Sequence, residues 1–203
     1  MAKPIAEIRR SEIVQAMYSA IAKDGVSLPS FDRISKSGDM TRQLVRHYFS
    51  SSEEIAIGLC NALADTYRDC LMKGILTADD DQRLPVFLDF YFGFLAEKGL
   101  PKPEDDAVYD AMFAFASTNE SVRKNLHDQY TLLQFTLSHE VQLSYPNLGQ
   151  DQCRELGYLI VITMYGHWKM VATLGFDDAY NSVSRKAIDR LIVSYVLSSN
   201  TAG

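Results

Sequence analysis

Apolar residues recur at helical spacing along almost the whole chain. No stretch alternates apolar and polar residues in the two-residue period of a half-buried strand. An all-α fold is therefore expected. The 203 residues suffice for one domain of ordinary size, or for a small domain leaning on a larger one. At 47% hydrophobic and 23% charged residues, the core can form without disulfides or metal.

Local stop and start signals divide this periodicity into nine helices. The first is expected from Pro4 to Lys23, with Pro4 in the first turn, where its missing N–H costs nothing, and Gly25 as the stop. Ser30 caps a short second helix that carries Phe31 and Ile34 inward and ends at Gly38. Thr41 caps a third, also short, through Tyr48, with Met40, Val45 and Phe49 for the core. Two short helices in so tight a succession after a longer one make a helix-turn-helix pattern.

Ser51 and Glu54 have capping-box spacing and open a long fourth helix that runs toward the acidic loop Asp79-Asp80-Asp81. The fifth, over 84–95, is apolar nearly all round and is expected to be central. The sixth covers about 104–117. The seventh starts at the Ser117–Glu120 cap and reaches Ser144; the last two run over 150–174 and 179–198. Three helices then form a head, residues 1–50, and six a body, residues 51–203.

Charge supports the same division. The net charge is −6, but residues 1–52 carry eight Lys and Arg against five Asp and Glu, a local +3. A basic head on an acidic body suits contact with phosphate at one end only. The cysteines Cys60, Cys70 and Cys153 are odd in number and lack metal-ligand spacing, so they read as small hydrophobes in a reducing compartment. The opening MAKPIAEIRR has no apolar signal core. The apolar run Leu156–Tyr165 falls short of the roughly 20 residues a membrane span needs. A cytoplasmic protein without metal, cofactor or membrane partner is expected.

From Ile13 through Gly25, Ile34, Gly38, Met40, Val45 and Phe49 to Ile55, the sequence resembles the DNA-binding domain of TetR-family repressors. LVRHYFSSSEEI, residues 44–55, carries the strongest likeness, to the BetI-type branch, in which an HYF triplet ends the recognition helix. The resemblance implies a bacterial homodimer on a double-stranded, pseudo-palindromic operator, released by a small-molecule effector bound in the body. It also implies a dimer interface built by the last two helices. Three residues depart from the pattern: Asp39 at the usual turn glycine, Arg46 at a common tyrosine, and Ser52 at a common lysine, which removes one phosphate charge.

On this reading Arg42 and Gln43 enter the major groove, since Arg pairs with guanine O6/N7 and Gln with adenine N6/N7. Leu44 either meets a thymine methyl or packs on the first helix. Ser30, Thr41, Arg46, His47 and Tyr48 are candidates for phosphate contact, and Arg9 and Arg10 for reaching the backbone beside the groove or forming a solvated face.

In the body, Tyr67, Tyr91, Phe94, Tyr109, Met112, Phe113, His127, Tyr130, Met164 and Trp168 are candidate ligand contacts, set against the plain reading that most aromatic and Met side chains fill a helical core. An aromatic cage for a quaternary amine is one expectation, by analogy with the BetI branch. Gly157, Ile160, Val161, Met164, Ile188, Leu191, Ile192 and Tyr195 lie at helical spacing and are candidates for the dimer interface or an internal core face.

Enzyme chemistry finds no constellation: His139-Glu140 lacks the second histidine of HExxH, and there is no GxSxG, P-loop or GxGxxG. The alternative to a regulator is a helical ligand-binding or interaction protein that has lost operator binding.

Overall fold

The computed structural model describes residues 4–25, 27–75 and 82–201. Among these there are nine α-helices and no strand: α1 (Ile5–Asp24), α2 (Phe31–Ser37), α3 (Arg42–Tyr48), α4 (Ser52–Ile75), α5 (Arg83–Tyr91), α6 (Asp106–Thr118), α7 (Glu120–Ser144), α8 (Gln150–Trp168) and α9 (Ala179–Thr201). The acidic loop Asp79-Asp80-Asp81 lies outside the described residues. No described helix is long and apolar enough to cross a membrane.

Most boundaries follow the local chemistry. Ser30 Oγ accepts the Arg33 N–H at 3.4 Å, and Thr41 Oγ1 accepts the Leu44 N–H at 3.1 Å. Asn119 Oδ1 accepts the Val122 N–H at 3.0 Å. Pro4 sits one residue earlier than expected, as the N-cap of α1.

Two ends differ from the periodic reading. The fifth helix stops at Tyr91, four residues early: Gly93 takes a left-handed φ of 78°, and a single 3-10 turn, Ala96–Lys98, follows. The eighth leaves α geometry at Trp168 for a π turn, Lys169–Thr173, before Gly175 at φ 72°. Apolar period continues through both breaks, so it could not mark them.

The chain forms two compact units. The first comprises residues up to Thr66 together with Asp105–Asp128, and the second comprises Tyr67–Glu104 with Gln129 onward. Residues 1–50 thus share a unit with the start of α4 and with α6.

In the first unit α1 packs on α2, α3 and α6. Ile13, Met17, Ile21, Ile34, Val45, Ile55 and Leu59 are buried. The turn between α2 and α3 divides two tasks between adjacent residues. Asp39 alone among described non-glycine residues has positive φ, 48°, and the Met40 N–H closes the turn on the Ser35 carbonyl at 2.9 Å. Gly38 keeps ordinary φ, −98°, but a Cβ there would stand 2.7 Å from the Ala16 Cβ.

In the second unit, Leu84, Phe87, Leu88 and Phe92 of the α5 region join Leu137 and Val141 of α7, Leu156, Ile160 and Met164 of α8, and Ile188 and Ile192 of α9 in one core. Arg83 reaches the buried Glu140 carboxylate at 2.7 Å, tying α5 to α7. Arg185 holds Asp89 at 2.8 Å and also pairs with Asp189. The expected central position of the fifth helix is met: four of its nine residues are buried.

Candidate DNA-binding and ligand-binding sites

α3 offers an exposed row. Arg42, Gln43, Arg46 and His47 are all exposed, while Val45 faces inward and is fully buried. Leu44 is half-buried. The Tyr48 ring stands edge-on to His47, centroids 4.9 Å apart, and is half-buried. The cap hydroxyls of Ser30 and Thr41 spend their oxygens on backbone N–H groups; each keeps an O–H to donate.

Three basic groups are already engaged. Arg42 lies 3.2 Å from both carboxylate oxygens of Asp32, on α2. The pair is half exposed, so it holds Arg42 only loosely. The Arg46 guanidinium lies 5.9 Å over the Phe31 ring. Arg9 pairs with Glu12 at 2.7 Å one turn along an exposed face.

Arg10 is exposed and at the same time engaged by residues far along the chain. Its guanidinium lies 4.1 Å over the buried Phe49 ring and donates to the Tyr48 carbonyl and to Glu54 Oε1, the latter at 2.8 Å. The other Glu54 oxygen accepts both the N–H and the O–H of Ser50, each at 2.8 Å. The capping box is therefore half formed: Ser51 Oγ accepts the Glu54 N–H at 3.2 Å, but the reciprocal bond goes to Ser50. The Arg10 guanidinium first, and the Ser50 donors after it, hold the Glu54 carboxyl down to about 2. Neither Asp32 nor Glu54 was named as a site residue from sequence. Only the capping-box spacing of Glu54 hinted at it.

The candidate ligand residues are divided between the units. Tyr109, Met112, Phe113 and His127 belong to the first, and Tyr67, Tyr91, Phe94, Tyr130, Met164 and Trp168 to the second. Met112 and Met164 are buried core residues, whereas Phe94 and His127 are exposed. In the second unit the Tyr91 ring stacks on both Tyr67 and Phe87, at 5.6 and 5.1 Å. The Trp168 Nε1–H donates to the Tyr91 carbonyl at 2.9 Å, and Lys102 Nζ lies 4.2 Å over the Trp168 ring. The face of Trp168 therefore already accommodates an ammonium group. His167, buried beside it, is satisfied by Asn181 at 2.9 Å and Ser184 at 3.0 Å. Burial pushes the Cys60 thiol up to about 12 and raises that of Cys153 as well, which keeps both as neutral thiols.

The dimer candidates fall on the inner face of their helices. Ile160, Ile188 and Ile192 are almost fully buried within the chain, as are Val161 and Met164. Gly157 faces α7: a Cβ there would meet Ser138 Oγ at 2.2 Å and the Gln134 carbonyl at 2.8 Å. Leu191 and Tyr195 pack against the same core, and burial, then Glu155, raises the Tyr195 hydroxyl. The apolar side chains that α8 and α9 leave exposed are others, among them Tyr158, Ile162, Val193 and Leu197.

No family model matches the sequence, and no curated protein does. Solved structures do. A TetR transcription regulator from Haloarcula marismortui superposes with a TM-score of 0.77 at 15% identity, over 93% of this chain and 98% of its own. A TetR-family regulator from Agrobacterium tumefaciens gives 0.71 at 15% identity, over 91% and 98%. A structure from Saccharomonospora viridis solved in complex with choline gives 0.69 at 16% identity, over 92% and 96%. Among the described residues, the helix-turn-helix of α1–α3 followed by six further helices is an all-α architecture shared with these structures. In particular, the chain has the fold of TetR-family transcriptional regulators.

Proposed function

We propose that the chain is a ligand-responsive transcriptional regulator that binds a pseudo-palindromic operator as a homodimer and leaves it when a small molecule binds. The observation that carries this reading is the exposed row Arg42, Gln43, Arg46 and His47 on a capped α3 whose opposite face is buried. Arg42 and Gln43 read bases; Arg46, His47, Ser30 and Thr41 contact phosphates. Residues 1–50 serve as the DNA-binding domain and 51–203 as the effector and dimerisation domain, acting in the cytoplasm.

A single seven-residue recognition helix makes few contacts, so affinity requires two heads about 34–36 Å apart or a multiple of that. The exposed pairs Tyr158 with Ile162 on α8 and Val193 with Leu197 on α9 each have i, i+4 spacing and supply the apolar face for the partner. For the effector, the Trp168 face, which holds the Lys102 ammonium, makes an alkylammonium the first class to test. The structural neighbour solved with choline supports the same choice.

The test is binding of the ligand-free, full-length protein to the DNA upstream of its own coding sequence. Affinity is expected to fall linearly with salt on logarithmic axes. No binding even at low salt, there or to any genomic fragment, would favour a ligand-binding protein that has lost its operator.

A further inference from the structure

We propose that Arg10 and Glu54 are positioning residues for DNA binding: they lock the end of α3 to the start of α4, so that removing the Glu54 carboxylate weakens operator binding although it takes away a negative charge close to α3. This rests on the DNA-binding reading above.

Residues 49–51 join α3 to α4, and both sides of this short link are held. Tyr48 is the last residue of α3, so its carbonyl has no partner within the helix. Arg10, from α1, fills that vacancy and at the same time takes Glu54 Oε1. Its guanidinium plane rests on Phe49, whose N–H closes α3 on the Val45 carbonyl at 3.0 Å. From the other side Glu54 Oε2 holds Ser50 through two donors. One planar fork thus joins three helices, a task the single-point ammonium of lysine cannot repeat. Base-reading groups need placement to within about half an ångström, which a shell of this kind supplies. An arginine so engaged is not a loose phosphate ligand.

The account differs in sign from a purely Coulombic one. If Glu54 only repelled DNA, neutralising it would tighten binding. If Arg10 only contacted a phosphate, lysine would serve nearly as well, and its loss would lower the salt slope by about one.

The experiment uses full-length protein and a duplex selected by the wild type from a randomised library, with affinity measured across a salt series. Glu54→Gln, Arg10→Gln and Arg10→Lys are each expected to weaken binding about tenfold. The salt slope should stay unchanged, and Glu54→Gln with Arg10→Gln together should cost no more than the worse single change. Glu54→Asp, a milder change that keeps the charge but loses the reach, should weaken binding in the same direction and guards against variants that fail to fold. Tighter binding by Glu54→Gln, wild-type binding by Arg10→Lys or Glu54→Asp, or a lower slope in Arg10→Gln overturns the proposal alone. A wild type that enriches no sequence overturns the DNA-binding reading, and this inference with it.

Discussion

Gly38 and Ala16 bring α2 and α1 so close that one methyl group cannot be added between them: a Cβ on Gly38 would stand 2.7 Å from the Ala16 Cβ. The Met40 Cε, at 2.4 Å, can swing aside, but the Ala16 Cβ is fixed to its helix. Gly38→Ala is therefore expected to cost about 1–3 kcal/mol in chemical denaturation. Asp39→Gly should change stability far less, because relief of the left-handed backbone offsets added freedom in the unfolded chain. The reverse order of the two variants would mean that the turn is built otherwise.

Gly157 makes the corresponding contact in the second unit. Gly157→Ala should lower the melting temperature, and Ser138→Ala should not restore it, since the Gln134 carbonyl remains 2.8 Å from the new methyl. An alanine variant with unchanged stability but altered oligomeric state would place Gly157 in an interface instead.

Substitutions on the two faces of α8 and α9 should separate folding from assembly. Ile162→Glu with Val193→Glu, both on exposed positions, is expected to yield a folded monomer in sedimentation velocity. Ile160→Ala or Ile192→Ala should instead lose about 2–5 kcal/mol of stability. A fully dimeric Ile162→Glu, Val193→Glu protein would exclude this face.

Asp32 restrains Arg42 across an exposed pair, and opening that pair costs little. Asp32→Asn is expected to leave stability within about 0.5 kcal/mol and to tighten DNA binding, because it frees Arg42 and removes a repelling charge. Weaker binding would mean that Asp32 orients Arg42 for base reading.

The Arg10–Glu54 clamp has a pH signature. The folded Glu54 carboxyl, at about 2, lies below its ordinary 4.5, so the contribution is complete above about 4.5 and is lost as pH falls toward 2. Thermal melts of the wild type and Glu54→Gln should differ most above pH 4.5 and converge below it. A constant difference across that window would show that the carboxylate's charge is not what the clamp uses.

Helix starts were legible in sequence because they depend on neighbours. Ser30, Thr41 and Asn119 cap within three residues of themselves. The exposed side of α3 was legible too, since Val45 and Phe49 fix which side faces inward. The end of α5 was not: Leu84 to Leu95 stays apolar while Gly93 turns the chain. The role of Arg10 was hidden because its partners lie 38 and 44 residues away. The periodicity of α8 and α9 located an apolar face correctly but carried no information on whether the chain itself or a partner covers it; Ile160 and Ile192 proved internal.

The most direct test is selection from a randomised duplex library by the ligand-free, full-length protein. The account predicts enrichment of a pseudo-palindrome with half-sites about 10 base pairs apart, centre to centre, or a multiple of that, and relaxed preference within each half-site for Arg42→Ala with Gln43→Ala. Recovery of no preferred sequence at low salt, or of the same preference from the doubly substituted protein, would contradict it.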